Sequence, residues 1–292
     1  MLFSVQGLEN AGLDRGRGWV RVAAVNRRPR VLIITGYGLN CEAESRQAWL
    51  LAGADPELVH LNDLLAQPGR LADFAALMFI GGFSFGDHMT SGHVFAVRLR
   101  HRLREPLARF LADGRLVLGV CNGFQIMVKL GLLPGLDGEY FEQRVALIQN
   151  EVGHFQNFWV ELRFEPLSPC VFTRGLDRMP LPIRHGEGRL YTPDRALLDR
   201  IETAGGVACR YADPATGAPA VDFPWNPNGS LNAIAGLCDP TGRVFGLMPH
   251  PEAYLYPENH PQWDRQRTTG TLPARGLGLR LFENAVSFLR AN

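Results

Sequence analysis

A cysteine with glycines close on either side is the first place where the sequence could do chemistry. In LVLGVCNGFQIM, residues 116–127, an apolar run leads to Cys121, and Gly119 and Gly123 lie two residues before and after it. A G-x-C-x-G stretch between a strand and a helix is typical of a nucleophile elbow, a sharp turn that exposes the nucleophile. A helix N-terminus favours a thiolate, and the amide of Asn122 would lie where an oxyanion forms. The pattern predicts Cys121 as a catalytic nucleophile, against the simpler interpretation of a buried core cysteine.

A nucleophilic cysteine needs a base, and His250 in GLMPHPEAY is the strongest candidate among the eight histidines. Pro251 favours an extended conformation for His250, and in an extended segment the side chains of His250 and Glu252 point to the same side. The carboxylate can then hold one ring nitrogen while the other faces the thiol. We therefore predict a triad of Cys121, His250 and Glu252, with His185 in HGEGR as a competing base or a substrate-side residue.

Cys41 in GYGLNCEAES is a second cysteine that precedes a predicted helix. It has no glycine two residues after it, and Glu42 and Glu44 follow at once, which should raise the pKa of a neighbouring thiol. These differences favour Cys121 as the nucleophile. The five cysteines contain no C-x-x-C pair and no metal-ligand spacing, so we predict reduced cysteines and no metal site.

The segment GGFSFGD, residues 81–87, follows the apolar run ALMFI directly. Paired glycines at the carboxyl end of a strand allow backbone N–H groups to converge on an anion, and ligands of such sheets bind at strand carboxyl ends. The segment is therefore a candidate anion-binding element, although a plain tight turn would have the same composition.

The elements that must position these residues alternate between strands and helices. The apolar runs RVLIIT, ALMFI and LVLGV predict strands, and EAESRQAWLLAG and VFAVRLRHRLREPLARFLADG predict helices. This alternation predicts an α/β fold, with an open, mostly parallel sheet and helices on both faces. After Asn150 we predict mainly strands, among them FWVELRF, AVDF, AIAGLCD and RVFGLMPH, and a long polar loop over residues 253–276.

Composition narrows the possible functions. A chain of 292 residues with 46% hydrophobic content can bury a full core. Its net charge of +1 gives no basic field for nucleic acid, and no apolar run is long enough to span a membrane. The first twenty residues lack the pattern of a signal peptide, so we expect a cytoplasmic protein. We predict an N-terminal extension over residues 1–28 and a single domain over residues 29–292.

Several motifs together resemble the class I glutamine amidotransferases: GVCNGFQ, GGFSFGD, HGEGR, PNGS, MPHPE and the GLNCEAE stretch after the first strand. The Asn-Gly-Phe-Gln version of the elbow is similar to the glutaminase component of phosphoribosylformylglycinamidine synthase. Relatives that feed CTP, GMP or anthranilate synthesis usually carry other residues at Asn122 and Phe124. The resemblance runs from about Arg30 to the C-terminal helix, and it implies the flavodoxin-like architecture of that family.

The resemblance implies that Cys121 attacks the side-chain amide of L-glutamine, that His250 transfers the proton and that Glu252 orients His250. Water then releases glutamate from a cysteinyl thioester. The remaining roles that it implies are an oxyanion hole from the amides of Gly82, Phe83 and Asn122, and substrate contacts from Gln125, Asn150 and His185. The family often has N-x-S-x-R-F near the α-carbon groups of glutamine, whereas NEVGHF, residues 150–155, lacks the serine and the arginine.

The released ammonia needs an acceptor, and the chain has no recognisable ATP-phosphate loop. The resemblance implies a separate synthetase subunit that holds ATP and Mg²⁺ and converts formylglycinamide ribonucleotide to formylglycinamidine ribonucleotide in purine biosynthesis, with a possible small third subunit. We predict no cofactor in this chain. Three alternatives stay open: a glutaminase for a different synthetase, a cysteine-elbow enzyme of the kind that usually has histidine where this chain has Asn122, and a binding module with a vestigial site.

Overall fold

The computed structural model describes residues 28–292. In this part of the chain there are eleven strands: β1 (Arg30–Thr35), β2 (Asp55–His60), β3 (Ala76–Phe79), β4 (Leu116–Val120), β5 (Ala146–Ile148), β6 (Gln156–Phe164), β7 (Arg178–His185), β8 (Arg189–Tyr191), β9 (Val207–Ala212), β10 (Ile234–Cys238) and β11 (Val244–Leu247). The α-helices are α1 (Glu42–Ala52), α2 (Leu61–Ala66), α3 (His93–Ala112), α4 (Asn122–Leu130), α5 (Arg195–Thr203), α6 (Trp263–Thr268) and α7 (Leu279–Ala291).

Nine of these strands form one sheet in the order β2-β1-β3-β4-β11-β10-β9-β6-β7. The four pairings from β2 to β11 are parallel, and the four from β11 to β7 are antiparallel. Strands β5 and β8 form a separate antiparallel pair. The α/β architecture predicted from the alternation of strands and helices is confirmed, and the parallel half of the sheet contains the chemically interesting strand ends.

Both faces of the parallel half are covered. Every residue of β3, β4 and β11 is buried. Since successive side chains of a strand point to opposite faces, this burial requires packing on each side of the sheet. Helix α4 packs on these three strands and against α3, and α1 packs on β1, β2 and α7. All residues of α4 except Lys129 are buried, including the polar Asn122 and Gln125, so this helix lies inside the core.

The strand order brings distant parts of the sequence together at one edge. Strands β1, β3, β4 and β11 are parallel neighbours, so the segments that follow them leave the sheet side by side. These segments contain Cys41, Gly82, Cys121 and His250 respectively. The fold therefore collects the candidate residues at the carboxyl edge of its parallel strands.

Two sequence predictions are wrong in detail. AVDF, residues 220–223, is a loop in which Val221 and Phe223 are exposed, and the chain makes only an isolated bridge between Ala212 and Pro219. Residues 253–276 contain a short 3-10 turn over Pro257–Asn259 and helix α6, so this long connection is partly structured.

The predicted domain boundary stays a prediction, because residues 1–27 of the N-terminal extension lie outside the described residues. Within residues 28–292, no helix combines the length and the apolar character that crossing a membrane requires.

Candidate active site

Cys121 forms the elbow between β4 and α4, and its own backbone is strained. Its φ of 51° and ψ of −108° lie in a region that residues with a side chain rarely adopt. Neither flanking glycine has a positive φ, so the unusual backbone conformation of the elbow is confined to Cys121. A Cβ on Gly123 would overlap the carbonyl oxygen of Phe79, and one on Gly119 would overlap the sulfur of Met127. The glycines therefore allow close packing, and Cys121 itself adopts the strained turn.

His250 follows β11, the strand beside β4, and its backbone N–H donates to the Pro182 carbonyl at 2.9 Å. Its φ of −104° and ψ of 92° are extended, as Pro251 predicts. The Nδ1 atom of His250 lies 2.6 Å from Oε1 of Glu252, and both side chains are buried. Because Nδ1 is bound to the carboxylate, Nε2 is the nitrogen available for the thiol.

The environment of His250 favours its charged form. Burial by itself would lower the pKa of His250, but the charge of Glu252 and then the nearby Cys121 and Cys41 thiols raise this pKa well above its usual value. Nε2 has no hydrogen-bond partner within residues 28–292. The sulfur atoms of Cys121 and Cys41 are nevertheless near enough to raise the pKa of the imidazole. The arrangement is therefore one imidazolium between a carboxylate and the sulfur atoms of two cysteines.

Cys41 caps helix α1 and lies beside the same histidine. Burial is the main cause that raises the pKa of the Cys41 thiol to about 11, and the charges of Glu252 and Glu44 add smaller increases. The expected contribution of Glu44 is therefore present but minor, and Glu42 is not among the causes. A thiol with this pKa is protonated at neutral pH, which favours Cys121 as the nucleophile.

One cluster of metal-ligand types exists in the described part of the chain. Ligand atoms of Cys41, His250 and Glu252 lie within 4.8 Å of one another. The 2.6 Å contact between His250 and Glu252 is a direct hydrogen bond, shorter than the separation of two ligand atoms that share a tetrahedral Zn²⁺. The geometry is that of a hydrogen-bonded histidine and carboxylate, and the absence of a metal site stays a prediction.

The candidate oxyanion donors differ in availability. The amide of Phe83 donates to the Gly38 carbonyl at 2.9 Å, so in this conformation it is engaged by the backbone, and its role as an oxyanion donor stays a prediction. The amides of Gly82 and Asn122 donate no hydrogen bond within residues 28–292. Gly82 has a φ of 139°, a conformation that glycine adopts at little cost. Two of the three predicted donors are therefore free to bind an oxyanion.

Gln125, Asn150 and His185 support the site from behind instead of lining the cavity beside Cys121. The amide of Gln125 donates to the Glu187 carbonyl and accepts from the Asn122 side chain at 3.0 Å. Each of these three side chains is buried. The two amide side chains are engaged by one another's neighbours and the backbone, whereas Nε2 of His185 has no hydrogen-bond partner within residues 28–292, and the predicted substrate contacts stay a prediction.

Asn150 ties two loops together. Its Nδ2 donates to the His154 and His185 carbonyls, and its Oδ1 accepts from the Gly188 amide at 3.0 Å and from Nδ1 of His185 at 3.1 Å. Burial, followed by the charge of His250, lowers the pKa of His185 to about 3, so His185 is neutral. Asn228 of the PNGS motif donates to the Gly188 carbonyl at 2.8 Å and holds the same loop. These motif residues shape the loop beside the nucleophile.

A cavity of about 240 Å³ opens beside the nucleophile. Sequence reasoning missed several of its lining residues, because they lie on elements far apart in the chain: Asn40, Glu44, Phe155, Asn157 and Arg184. The one available hint was the position of Arg184 at the end of an apolar strand, directly before the HGEGR motif. The volume suits a ligand smaller than a drug molecule.

Comparison with known proteins decides the family. The model of the CobB/CobQ-like glutamine amidotransferase domain matches residues 28–289. The chain belongs to this glutamine amidotransferase family. The match covers the whole sheet and each of the helices and strands that position Cys121, His250 and Glu252.

The relatives of this glutamine amidotransferase are similar over nearly their whole length. Phosphoribosylformylglycinamidine synthase subunit PurQ of Methanococcus maripaludis is 40% identical over 266 residues, which are 89% of this chain and 97% of that protein. The subunit of the same name from Dehalococcoides mccartyi is 41% identical over 264 residues, 89% and 98% of the two chains. A chain of the PurLQS structure from Thermotoga maritima aligns with a TM-score of 0.66 at 28% identity, covering 90% of this chain and 99% of that one.

The geometry of this glutamine amidotransferase suits acyl transfer to sulfur. A nucleophile on a strained elbow, a base held by a buried carboxylate and two free backbone amides are the parts that such chemistry needs. Cys121 and Asn122 follow β4, His250 and Glu252 follow β11, and Gly82 follows β3.

Proposed function

We propose that this chain is the glutaminase subunit of phosphoribosylformylglycinamidine synthase, which hydrolyses L-glutamine to glutamate and ammonia. The observation that carries the proposal is the position of Cys121 on a strained elbow at the floor of a small cavity, beside the buried pair of His250 and Glu252. The relatives that bear this subunit name match the chain over 89% of its length, which supports the choice of acceptor pathway.

The reaction follows from the contacts of the triad. Nε2 of His250 holds the proton taken from Cys121, so that the imidazolium faces a thiolate, and the sulfur of this thiolate attacks the carboxamide carbon of glutamine. As the carbon–nitrogen bond breaks, the imidazolium donates that proton to the leaving ammonia, and a glutamyl thioester remains. Water then attacks the thioester while His250 accepts a proton, and glutamate leaves with the thiol restored. Glu252 holds Nδ1 throughout and stabilises each imidazolium.

Two tetrahedral oxyanions form along this path. The free amides of Gly82 and Asn122 are available to bind them, and one such donor is worth roughly a hundredfold to a thousandfold in rate. The amide of Phe83 could join only after it leaves the Gly38 carbonyl.

The ammonia serves a separate synthetase subunit that amidates formylglycinamide ribonucleotide to formylglycinamidine ribonucleotide in purine biosynthesis. ATP and Mg²⁺ are expected on that partner, this chain needs no cofactor of its own, and a small third subunit is compatible with the three-component name PurLQS of the Thermotoga maritima structure. A cytoplasmic location fits this role and stays part of the proposal.

The test is the Cys121→Ala variant in the assembled complex with its synthetase. Glutamine-dependent amidation should fall to background, while amidation from added ammonium should persist, because only glutamine cleavage uses the thiol. Cys209→Ala, which removes a buried thiol on β9 outside the site, is the matched control and should keep both activities. Equal loss of both activities in Cys121→Ala would assign a structural role to this residue. If the copurified partner amidated a different acceptor, the proposed synthetase would be wrong, and the proposed glutaminase activity of this chain would stand.

A further inference from the structure

The cavity beside Cys121 has a buried floor and an exposed rim. Cys121, His250 and Cys41 at the floor are buried, whereas Phe155 and Arg184 at the rim are exposed. In glutamine the α-carbon lies three bonds from the carboxamide carbon. A glutamine with its carboxamide on the sulfur of Cys121 therefore carries its α-amino and α-carboxylate groups toward the rim.

Arg184 is placed at this rim by the pairing of β6 with β7. It lies directly opposite Asn157, so the two side chains project from the same face of the sheet, and both residues line the cavity. The Arg184 carbonyl is 3.5 Å from the sulfur of Cys121, which places this residue beside the nucleophile. Its guanidinium makes no ion pair within residues 28–292.

Glu44 provides the opposite charge. It lies in the first turn of α1, lines the same cavity and is half-buried. Its charge is the smallest cause of the raised pKa of the Cys41 thiol, and both residues line the cavity at the start of α1. Within the described chain, Glu44 has neither an ion-pair partner nor a side-chain hydrogen bond, which is unusual for a half-buried carboxylate beside a cavity.

The polar side chains of the loop over residues 150–155 do not line the cavity, so other residues must bind the charged groups of the substrate. Of this loop, only Phe155 lines the cavity, and its ring lies 6.1 Å from that of Phe83 at the opening. The ring of His154 is instead 2.8 Å from the Val152 carbonyl. The cavity therefore offers one unpaired cationic and one unpaired anionic side chain to a ligand that carries both charges.

We propose that Arg184 binds the α-carboxylate of L-glutamine and that Glu44 binds its α-ammonium group. This inference rests on the proposed function and extends it to substrate selection. Arg184 can hold a carboxylate through two parallel hydrogen bonds, and Glu44 can accept from an ammonium group. The pair selects free glutamine over glutamine residues within peptides, which lack both charges. It also disfavours asparagine, which is one methylene too short to reach the sulfur and both charges together.

The test uses ligands that lack one charge each. Glutaramate has the carboxylate without the amine, and 4-aminobutanamide has the amine without the carboxylate. Each ligand protects Cys121 of the full-length chain from alkylation by iodoacetamide, and peptide mass spectrometry follows the alkylation of Cys121 over time. The ligand concentration that halves the alkylation rate of Cys121 measures the affinity of the ligand, and this measurement does not require the partner subunit.

The variants should lose binding selectively. Arg184→Ala should weaken protection by glutamine and glutaramate roughly 10- to 100-fold, and leave 4-aminobutanamide within about threefold, because a hydrogen-bonded charge contributes about that much affinity. Glu44→Gln should weaken glutamine and 4-aminobutanamide and spare glutaramate. Arg280→Ala on α7 and Glu42→Gln, neither of which lines the cavity, are the matched controls and should change nothing.

Three results would overturn the assignment. Unchanged protection by glutamine in both variants would refute this inference and leave the proposed glutaminase intact. An equal loss of protection by all three ligands would mean that the variants damage the cavity, and that Arg184 and Glu44 do not each bind one charge of the ligand. No protection by glutamine in the unmodified chain, together with no glutamate release by the complex, would refute the proposed function and this inference with it.

Discussion

Replacing Glu252 by glutamine is the sharpest test of the triad, because it removes one charge and preserves the shape. The Oε1 atom of Glu252 is 2.6 Å from Nδ1 of His250, and its Oε2 atom has no hydrogen-bond partner within residues 28–292. The carboxylate of Glu252 therefore has His250 as its one hydrogen-bond partner in this part of the chain. Its charge is the main cause that raises the pKa of His250, whereas burial lowers that pKa.

The size of the effect follows from this contact. Two unit charges about 4 Å apart interact by roughly 4 kcal/mol at an effective dielectric constant of about 20. The neutral side chain introduced by Glu252→Gln still accepts a hydrogen bond worth about 1 kcal/mol. The loss of interaction energy with the imidazolium should therefore be about 2–4 kcal/mol. At about 1.36 kcal/mol for each factor of ten, Glu252→Gln should lower kcat/KM for glutamine roughly 30- to 1000-fold. His250→Ala must lower it further, because that change removes the proton carrier itself.

The pH dependence gives a second readout with a definite sign. A raised pKa means that His250 keeps its proton to higher pH, and the imidazolium is the form that protonates the leaving ammonia. Glu252→Gln lowers this pKa, so the proton is lost at lower pH and the alkaline limb of the rate profile moves toward neutral. The assay is glutamate release by the complex with its synthetase across a range of pH.

Glu258→Gln is the matched control, because this exposed glutamate lies on the neighbouring 3-10 turn and outside the cavity. It should leave both the rate and the pH profile unchanged. If Glu252→Gln kept its rate within about threefold of the unmodified chain and showed the same alkaline limb, the histidine would act without the carboxylate and the triad would be refuted.

Three further predictions concern the nucleophile and its surroundings. An electrophilic glutamine analogue should modify Cys121 and leave Cys41 largely unmodified, since the pKa of Cys41 is raised to about 11; predominant labelling of Cys41 by mass spectrometry would reverse the assignment. The isolated chain should release glutamate slowly, and the synthetase with bound ligands should accelerate it at least tenfold, because Phe83 donates its amide to another carbonyl in this conformation; full activity of the chain alone would exclude such gating. Gly123→Ala should lower the free energy of unfolding by about 1–3 kcal/mol in urea titrations, because the added methyl group meets the Phe79 carbonyl, and an unchanged midpoint would show that the elbow tolerates it.

Much of the chemistry could be predicted from local sequence because it depends on short-range geometry. The strand, glycine and cysteine pattern around Cys121 predicts the elbow, and the proline after His250 predicts the extended segment that places Glu252 beside it. Both predictions use spacings of two residues, over which backbone conformation alone fixes the relative direction of side chains. The alternation of apolar strands and helices likewise predicts the α/β class.

The roles assigned to polar side chains were harder to predict, because hydrogen bonds over long chain separations decide them. Gln125 binds the Glu187 carbonyl, and Asn150 binds the His185 carbonyl, so both support loops where substrate contacts were expected. The engaged amide of Phe83 is equally invisible in the sequence, since its acceptor depends on how two loops pair.

The sequence by itself determined which residues could react: the cysteine at the elbow, the histidine before proline and the glutamate two residues later. Only the tertiary structure decided that they meet, because the order β3-β4-β11 places the ends of three strands side by side although β11 is 124 residues after β4. It alone also brought Glu44 and Arg184 to the same cavity, from a helix and a strand that share no sequence pattern. The physical reason is that strands pair through backbone hydrogen bonds and through burial of both sheet faces. These interactions are similar for any two apolar strands, so the local sequence of a strand does not specify its neighbour.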